Sequence, residues 1–241
     1  MEYLEFKTVK CKDCFKCLRE CPVKAIKYEN HQAKIVEDRC ILCGRCTEVC
    51  PQNAKRVHSE IDDVRALLES GGEVIASVAP SFVSSFGVQN FSVMNKALNK
   101  LGFDFAEETA VGANAVTEQY NKLLKSGEYR NFITSACPAI NRMIQIYYPK
   151  ALKYLAPVAS PMVAHAIILK KRYPDAKIVF IGPCIAKKRE ARESGIIDGV
   201  LTFEDLLSMF ETNEINLEEP AADWPEGAQP INIAKSYPIS N

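Results

Sequence analysis

The feature that most limits what this chain can fold into is a cysteine repeat near its N-terminus. Cys11, Cys14, Cys17 and Cys21-Pro22 recur as Cys40, Cys43, Cys46 and Cys50-Pro51, and Ala25 returns as Ala54, at a constant offset of 40 − 11 = 29 residues. So many thiols in so short a stretch leave little apolar core, so stability there must come from what the sulfurs bind. The start, Met1-Glu2-Tyr3-Leu4-Glu5-Phe6-Lys7, is acidic and lacks the long apolar run of a secretory leader. The longest apolar runs, around Ile167-Ile168-Leu169 and from Ile178 to Ile181, are far too short to cross a bilayer. A cytoplasmic location is expected, where thiols stay reduced. Ten cysteines in 241 residues then call for a metal rather than for disulfides. The formal net charge is zero, so no global field draws the chain to nucleic acid or to a membrane surface.

The spacing C-x2-C-x2-C-x3-C-P places three thiolates at tight, equal intervals, able to wrap three corners of a cuboidal iron–sulfur cluster, while the fourth reaches across to a second cluster. The expected ligand sets are Cys11, Cys14, Cys17 and Cys50 for one [4Fe–4S] cluster, and Cys40, Cys43, Cys46 and Cys21 for the other. Zinc is the rival, because C-x2-C pairs also make tetrahedral zinc sites, but zinc modules separate their pairs by a longer loop. Residues 1–59 resemble the bacterial two-cluster ferredoxin family. Short strands are expected at Glu5–Val9, Ala25–Tyr28 and Ala33–Val36, with short helices after Cys17 and Cys46. Lys7, Lys10, Lys12 and Arg19 put positive charge near a cluster, where it raises the potential and offers a dock for an acidic electron carrier.

From Glu60 to Asn241 the pattern changes to alternating helices and strands, which implies an α/β domain with a mostly parallel sheet. Ser59 is expected to cap a helix whose stripe is Val64, Leu67 and Leu68 and which Gly71-Gly72 ends. Strands are expected at Glu73–Ala79, Phe103–Glu107, Asn131–Ser135, Ala176–Ile181 and Val200–Phe203. Helices are expected at Phe91–Leu101, Gly112–Lys125, Pro161–Lys171 and Glu204–Phe210. Beyond Glu211 the prolines Pro220, Pro225, Pro230 and Pro238 interrupt any periodicity, and the domain reads as C-terminally incomplete. Trp224, Tyr147 and Tyr148 read as packing residues, and His165 as a helix histidine without a role.

The two remaining cysteines, Cys137 and Cys184, each adjoin a proline just after a strand-like run. Two strand ends aiming one thiolate each at the same place is how an α/β sheet builds a site at its carboxyl edge. Taken alone they are equally small buried hydrophobes. Thr134-Ser135-Ala136-Cys137-Pro138 and Pro183-Cys184-Ile185-Ala186-Lys187-Lys188, with Ala79-Pro80-Ser81 and Glu190-Ala191, resemble the [FeFe]-hydrogenase catalytic domain. The resemblance implies an H-cluster, a [4Fe–4S] unit held by four cysteines and bridged to a diiron subsite. Cys137 and Cys184 match the first two of those cysteines. It further implies that Lys187 hydrogen-bonds an iron-bound cyanide, that Ala79, Pro80, Ser81, Ala136 and Pro183 line the subsite, and that Glu118 is a proton-relay acid.

Three departures qualify what the resemblance implies. Ala136 stands where active members usually carry a second, proton-shuttling cysteine, so turnover is expected to fall by ~10²–10⁴. Gly182 stands where catalytic members usually carry methionine, and no cysteine follows Cys184 to complete the ligand set. Alanine and glycine at these places resemble the sensory subgroup, in which a signalling domain usually follows. The expected activity is slow, reversible conversion of protons and electrons to H₂, with this polypeptide alone holding two clusters but not the active one. The alternative is a non-catalytic electron-transfer or redox-signalling protein. A radical or flavin oxidoreductase with a ferredoxin domain finds no support, because no glycine-rich dinucleotide fingerprint follows any strand.

Overall fold

The computed structural model describes residues 3–7 and 10–217. The N-terminal part carries β1 (Leu4–Phe6), α1 (Lys16–Glu20), β2 (Ile26–Glu29), β3 (Gln32–Ile35), α2 (Arg45–Glu48) and β4 (Lys55–Val57). Strand β1 pairs antiparallel with β4, and β2 with β3. The β2–β3 hairpin turns at Asn30-His31, with φ of 51° and 56°, the left-handed pair that a tight two-residue turn needs to match strand twist. Helices this short do not persist on their own. What fixes them is the packing of Cys17, Cys21, Ala25, Ile26, Ala33 and Val49 into one small core.

The second part continues through α3 (Ile61–Glu69), β5 (Val74–Val78), α4 (Phe82–Phe86), α5 (Phe91–Lys100), β6 (Phe105–Glu108) and α6 (Ala110–Ser126). Then come α7 (Pro138–Tyr147), α8 (Pro161–Arg172), β7 (Lys177–Ile181), α9 (Ala186–Ser194), β8 (Gly199–Leu201) and α10 (Phe203–Thr212). Its four strands form an all-parallel sheet in the order β6-β5-β7-β8. One face, with Val74, Ala76, Val78, Val179 and Ile181, packs on Val64, Met94, Leu98 and Leu206 of α3, α5 and α10. The other, with Ile75, Ile178 and Phe180, packs on Met162, Ala166 and Leu169 of α8 and on Ala191 of α9. Burial on both faces is why β5, apart from Ser77, and most of β7 are apolar runs instead of alternating ones. Successive connections place β6 on one side of β5 and β7 on the other, so the carboxyl ends of β5 and β7 flank a topological switch point.

Several expected elements differ. Asn131–Ser135 is not a strand of the sheet; it makes a lone bridge from Ile133 to Leu155. Its apolar content is only Phe132 and Ile133, and Phe132 stacks on Tyr120 of α6, 5.5 Å between ring centroids, instead of entering the sheet. Ser59 does not cap α3. Glu60 takes the cap position, and the Ser59 hydroxyl donates to Asp205 Oδ1 at 2.7 Å while its oxygen accepts from the Ile61 amide at 3.3 Å, so it ties the helix start to a tertiary partner from one position earlier. Tyr148 is 58% exposed and packs little, whereas Tyr147 donates to the carbonyls of Arg39 and Val23 and so ties α7 to the N-terminal part. His165 is fully buried: its Nδ1 meets Ser77 Oγ at 2.8 Å and its Nε2 meets Glu107 Oε1 at 3.0 Å. Helix α10 runs to Thr212 from a capping box of Thr202 and Asp205, beyond the point where order was expected to fade. Trp224 and the prolines from Pro220 onward lie outside the described residues. No helix among the described residues is long and apolar enough to cross a membrane.

Candidate functional site

The 29-residue repeat is visible in the backbone. Asp13, Phe15 and Lys24 have φ of 52°, 56° and 52°, and the residues 29 further on, Leu42, Gly44 and Asn53, have φ of 56°, 80° and 47°. Left-handed conformations are disfavoured for residues with a Cβ, and paired occurrences in two loops mark a shape imposed by the sulfurs' common task. The amide of Ala25 donates to Cys21 Sγ at 3.2 Å and that of Ala54 to Cys50 Sγ at 3.3 Å, which explains why this alanine repeats with the cysteines.

All ten cysteines are free thiols. The eight N-terminal ones divide between two cavities: Cys11, Cys14, Cys17 and Cys50 line the first, and Cys21, Cys40, Cys43 and Cys46 line the second. Each cavity thus takes three cysteines from one run and the fourth from the other. Among the described residues no three Cys, His, Asp or Glu side chains gather closely enough for a single metal ion. Four sulfurs around a wider hollow suit a polynuclear cluster better than one tetrahedral ion with sulfurs at ~2.3 Å. Burial pushes the Cys46 thiol up to about 12 and raises that of Cys40. Burial also acts to raise Cys50, but backbone N–H groups of Ala54, Gln52 and Lys55 and the Lys55 charge bring it below the ordinary thiol value. A metal that binds these sulfurs must therefore displace protons.

The other two cysteines converge at the sheet edge. Ala79 and Gly182 continue β5 and β7, where the Ala79 amide donates to the Ile181 carbonyl at 2.8 Å, so Ala79-Pro80-Ser81 and Gly182-Pro183-Cys184 lie side by side at the switch point. A Cβ on Gly182 would stand 2.8 Å from the Phe180 ring and 3.0 Å from Ala79 Cβ, so Phe180 fills the space a larger residue would need. Cys137 caps the start of α7, whose Pro138 sits in the first turn. The loop before it is held by Tyr120 of α6, whose hydroxyl accepts from the Ser135 amide at 2.9 Å, while the Ser135 hydroxyl donates to the Val158 carbonyl. Asn141 Nδ2 donates to the Ser135 carbonyl at 2.8 Å.

Lys187 joins the two loops: its Nζ donates to the Ala136 carbonyl at 3.2 Å and to Glu190 Oε2 at 2.7 Å. Burial raises the Cys184 thiol; amides of Ala186 and Lys187 and the Lys187 charge oppose that, and the Cys137 charge adds to it. Cys137 and Pro183 are exposed, and Ala79, Pro80, Ser81, Ala136 and Cys184 are half-buried, so the edge opens outward. Glu118 is not brought in: it lies on the exposed side of α6, and the residue of that helix that supports the site is Tyr120. No sequence signal singles out Tyr120, because an i+4 neighbour of Val116 reads as core.

The edge and the second cavity adjoin. Leu4, Leu42, Ala139, Ile185 and Ala186 form one apolar cluster against which Cys40, Cys46 and Cys184 all pack. Gly44, in the second cavity's wall, would place a Cβ 3.1 Å from Ile185 Cδ1. Behind it, Lys188 is fully buried, donating to the Val200 carbonyl at 3.0 Å and lying 3.3 Å from Glu60 Oε1 and 3.8 Å from Asp205 Oδ2. Glu60 also accepts from the Val200 amide, so the junction of the two parts is clamped to β8 and α9.

Residues 72–234 match the family described as iron only hydrogenase large subunit, C-terminal domain, and residues 10–54 match the 4Fe-4S dicluster domain. Iron hydrogenase 1 of Clostridium pasteurianum is 30% identical over 260 residues, covering 89% of this chain and 45% of its own. The periplasmic [Fe] hydrogenase large subunit of Nitratidesulfovibrio vulgaris is 30% identical over 269 residues, covering 98% of this chain and 63% of its own. The chain therefore spans about half to two thirds the length of these relatives. The fold is like that of [FeFe]-hydrogenase HydA1 from Chlamydomonas reinhardtii, with a TM-score of 0.57 at 24% identity over 70% of this chain and 51% of that one. With residues 72–234 matching its C-terminal domain and a dicluster domain before it, the chain belongs to the iron-only hydrogenase large-subunit family.

Proposed function

We propose that this chain is the electron-relay and partial active-site portion of a slow, sensory-type [FeFe]-hydrogenase. The reaction is 2H⁺ + 2e⁻ ⇌ H₂. The observation that carries the reading is the shared apolar cluster in which Cys184, at the sheet edge, packs with Cys40 and Cys46 of the second cavity. Cys11, Cys14, Cys17 and Cys50 hold one [4Fe–4S] cluster, and Cys21, Cys40, Cys43 and Cys46 the other; Cys137 and Cys184 supply two thiolates to the catalytic group. When bound, these groups supply one-electron storage and the redox chemistry of hydrogen.

The protein's own residues supply placement and charge. The Ser135 loop, held by Tyr120 and Asn141, aims Cys137 outward at the edge. Lys187 spans both cysteine loops and, once shared away from Glu190, is the donor for a cyanide ligand. Ala136 carries no titratable proton, so no side chain at that position exchanges one with the reacting centre. Lys7, Lys10, Lys12 and Arg19, all exposed on the N-terminal part, suit an acidic electron carrier. A cytoplasmic setting and a downstream signalling domain accord with the sensory reading.

Iron analysis of this chain after anaerobic reconstitution tests the ligand assignment. The expected content is about eight irons, two cubanes of four; clearly more would overturn the view that Cys137 and Cys184 alone cannot hold the catalytic group. Infrared spectra of the complete, matured protein test the activity. Carbonyl and cyanide bands are expected, and their absence from an iron-replete protein would leave a non-catalytic electron-transfer protein.

A further inference from the structure

The two cysteine cavities are related by the 29-residue repeat, and the repeat fails at one lining position. Ala25 is followed by Ile26 in the second cavity's wall; the equivalent residue, 26 + 29 = 55, is Lys55, which follows Ala54 and lines the first. Lys55 is only 3% exposed. Its Nζ stands 3.4 Å from Cys17 Sγ and 4.6 Å from the centroid of the Phe6 ring, and among the described residues no carboxylate pairs with it. Its charge acts on Cys50 of the same cavity and reaches Cys46 of the other, but only the first cavity has its Nζ in contact with a cysteine sulfur.

A buried ammonium is strongly disfavoured unless an anion faces it. Lys188, the other buried lysine among the described residues, has Glu60 and Asp205. Lys55 has a ring face and a thiol, and its chain aims it into the hollow that four cysteines surround. An iron–sulfur cluster with four thiolate ligands is an anion, and it gains one further negative charge on taking up one electron. A fixed positive charge and an N–H donor at a ligand sulfur both favour the more negative state.

We propose that Lys55 sets the two cluster sites apart in reduction potential, making the Cys11, Cys14, Cys17 and Cys50 site the more readily reduced. Its ammonium stabilises the electron added there, and Ile26 does nothing equivalent in the other cavity. The site remote from Cys137 and Cys184 is then the one that fills first when a low-potential one-electron carrier reduces the protein. This rests on reading the eight cysteines as ligands of two [4Fe–4S] clusters.

The test is a redox titration of the full chain, reconstituted with iron and sulfide, reduced by dithionite through mediators and followed by electron paramagnetic resonance. In Lys55→Met one of the two transitions falls so that the reduced-to-oxidised ratio at its former midpoint drops at least tenfold, about 59 mV for a one-electron couple. The other transition moves by less than half as much, and Lys55→Arg restores the first. Should Lys55→Met bind less iron than the parent chain, Lys55→Gln, which keeps an N–H donor without the charge, carries the same comparison. A potential that does not move at full iron content, or two transitions that fall equally, overturns the proposal while leaving the ligand assignment intact. A parent chain that takes up no iron overturns both.

Discussion

Gly112→Ala puts local preference and tertiary packing in direct opposition. Gly112 lies near the start of α6, where helix propensity alone favours alanine by ~1 kcal/mol. A Cβ there, however, would stand 2.2 Å from the Pro161 carbonyl oxygen and 2.7 Å from the amide nitrogen and Cβ of His165. To restore an ordinary 3.4 Å contact, α6 and α8 must part by 3.4 − 2.2 = 1.2 Å. Overpacking of that kind costs ~1–3 kcal/mol. The shift also pulls His165 from Ser77 and Glu107, now 2.8 and 3.0 Å away, and a buried polar group left unpaired costs ~1–3 kcal/mol. Set against the propensity gain, the net destabilisation is about 3 kcal/mol. Urea unfolding of the reconstituted chain, followed by far-ultraviolet circular dichroism, reads it as a lower midpoint at unchanged slope. Cluster absorbance, recorded in parallel, separates loss of the N-terminal part from melting of the sheet. A variant as stable as the parent, or more so, would refute the close contact of α6 with α8 and the packing argument built on it.

Three further outcomes are expected. Lys188→Met strands Glu60 and Asp205 without a counter-charge and should cost about 3–5 kcal/mol in the same urea experiment; no change would mean the clamp carries no stability. Burial acts to raise the Glu107 carboxyl, but hydrogen bonds and charge from His165 and Arg172 outweigh it and hold the group below the usual carboxylate range. Glu107 therefore stabilises the fold above that range, and the contribution is lost as pH falls through its lowered value. Glu107→Gln should flatten the acid limb of a stability-against-pH profile, and an identical limb would contradict the assignment. Ala136→Cys in the complete, matured protein restores a titratable group beside Cys137 and should raise hydrogen turnover by ~10²–10⁴. Unchanged turnover would sever Ala136 from the slow rate.

What neighbours along the chain decide is legible in the amino-acid order itself. The crossed grouping of the eight cysteines follows from their spacing and appears as two four-cysteine cavities. The runs Val74–Val78 and Ile178–Ile181 point to a parallel sheet because burial on both faces leaves them, Ser77 apart, apolar throughout. Gly71, Gly102 and Gly127, each at positive φ, stand where helices are expected to stop. Cys137 and Cys184 are expected to meet, and Lys187 joins their loops, but not by the route foreseen. Cys184 follows a sheet strand, whereas Cys137 follows a loop held by Tyr120 and Asn141.

Partnerships between distant residues are decided only by the tertiary structure. Ser59 reads as a cap, yet its hydroxyl, besides accepting from the Ile61 amide, donates to Asp205, 146 residues away. Glu118 has the composition of a relay acid and faces outward, because the phase of α6 is set by Gly112 and Val116 packing inward. His165 acquires its place from Ser77 and Glu107, on two strands that no local pattern aligns with α8. Lys55 and Lys188 are alike as lysines in a row of letters; burial gives one a carboxylate clamp and leaves the other facing a ring of sulfurs. Spacing encodes short-range geometry, while the free energy of a charge depends on everything that surrounds it, and that is known only once the chain has closed on itself.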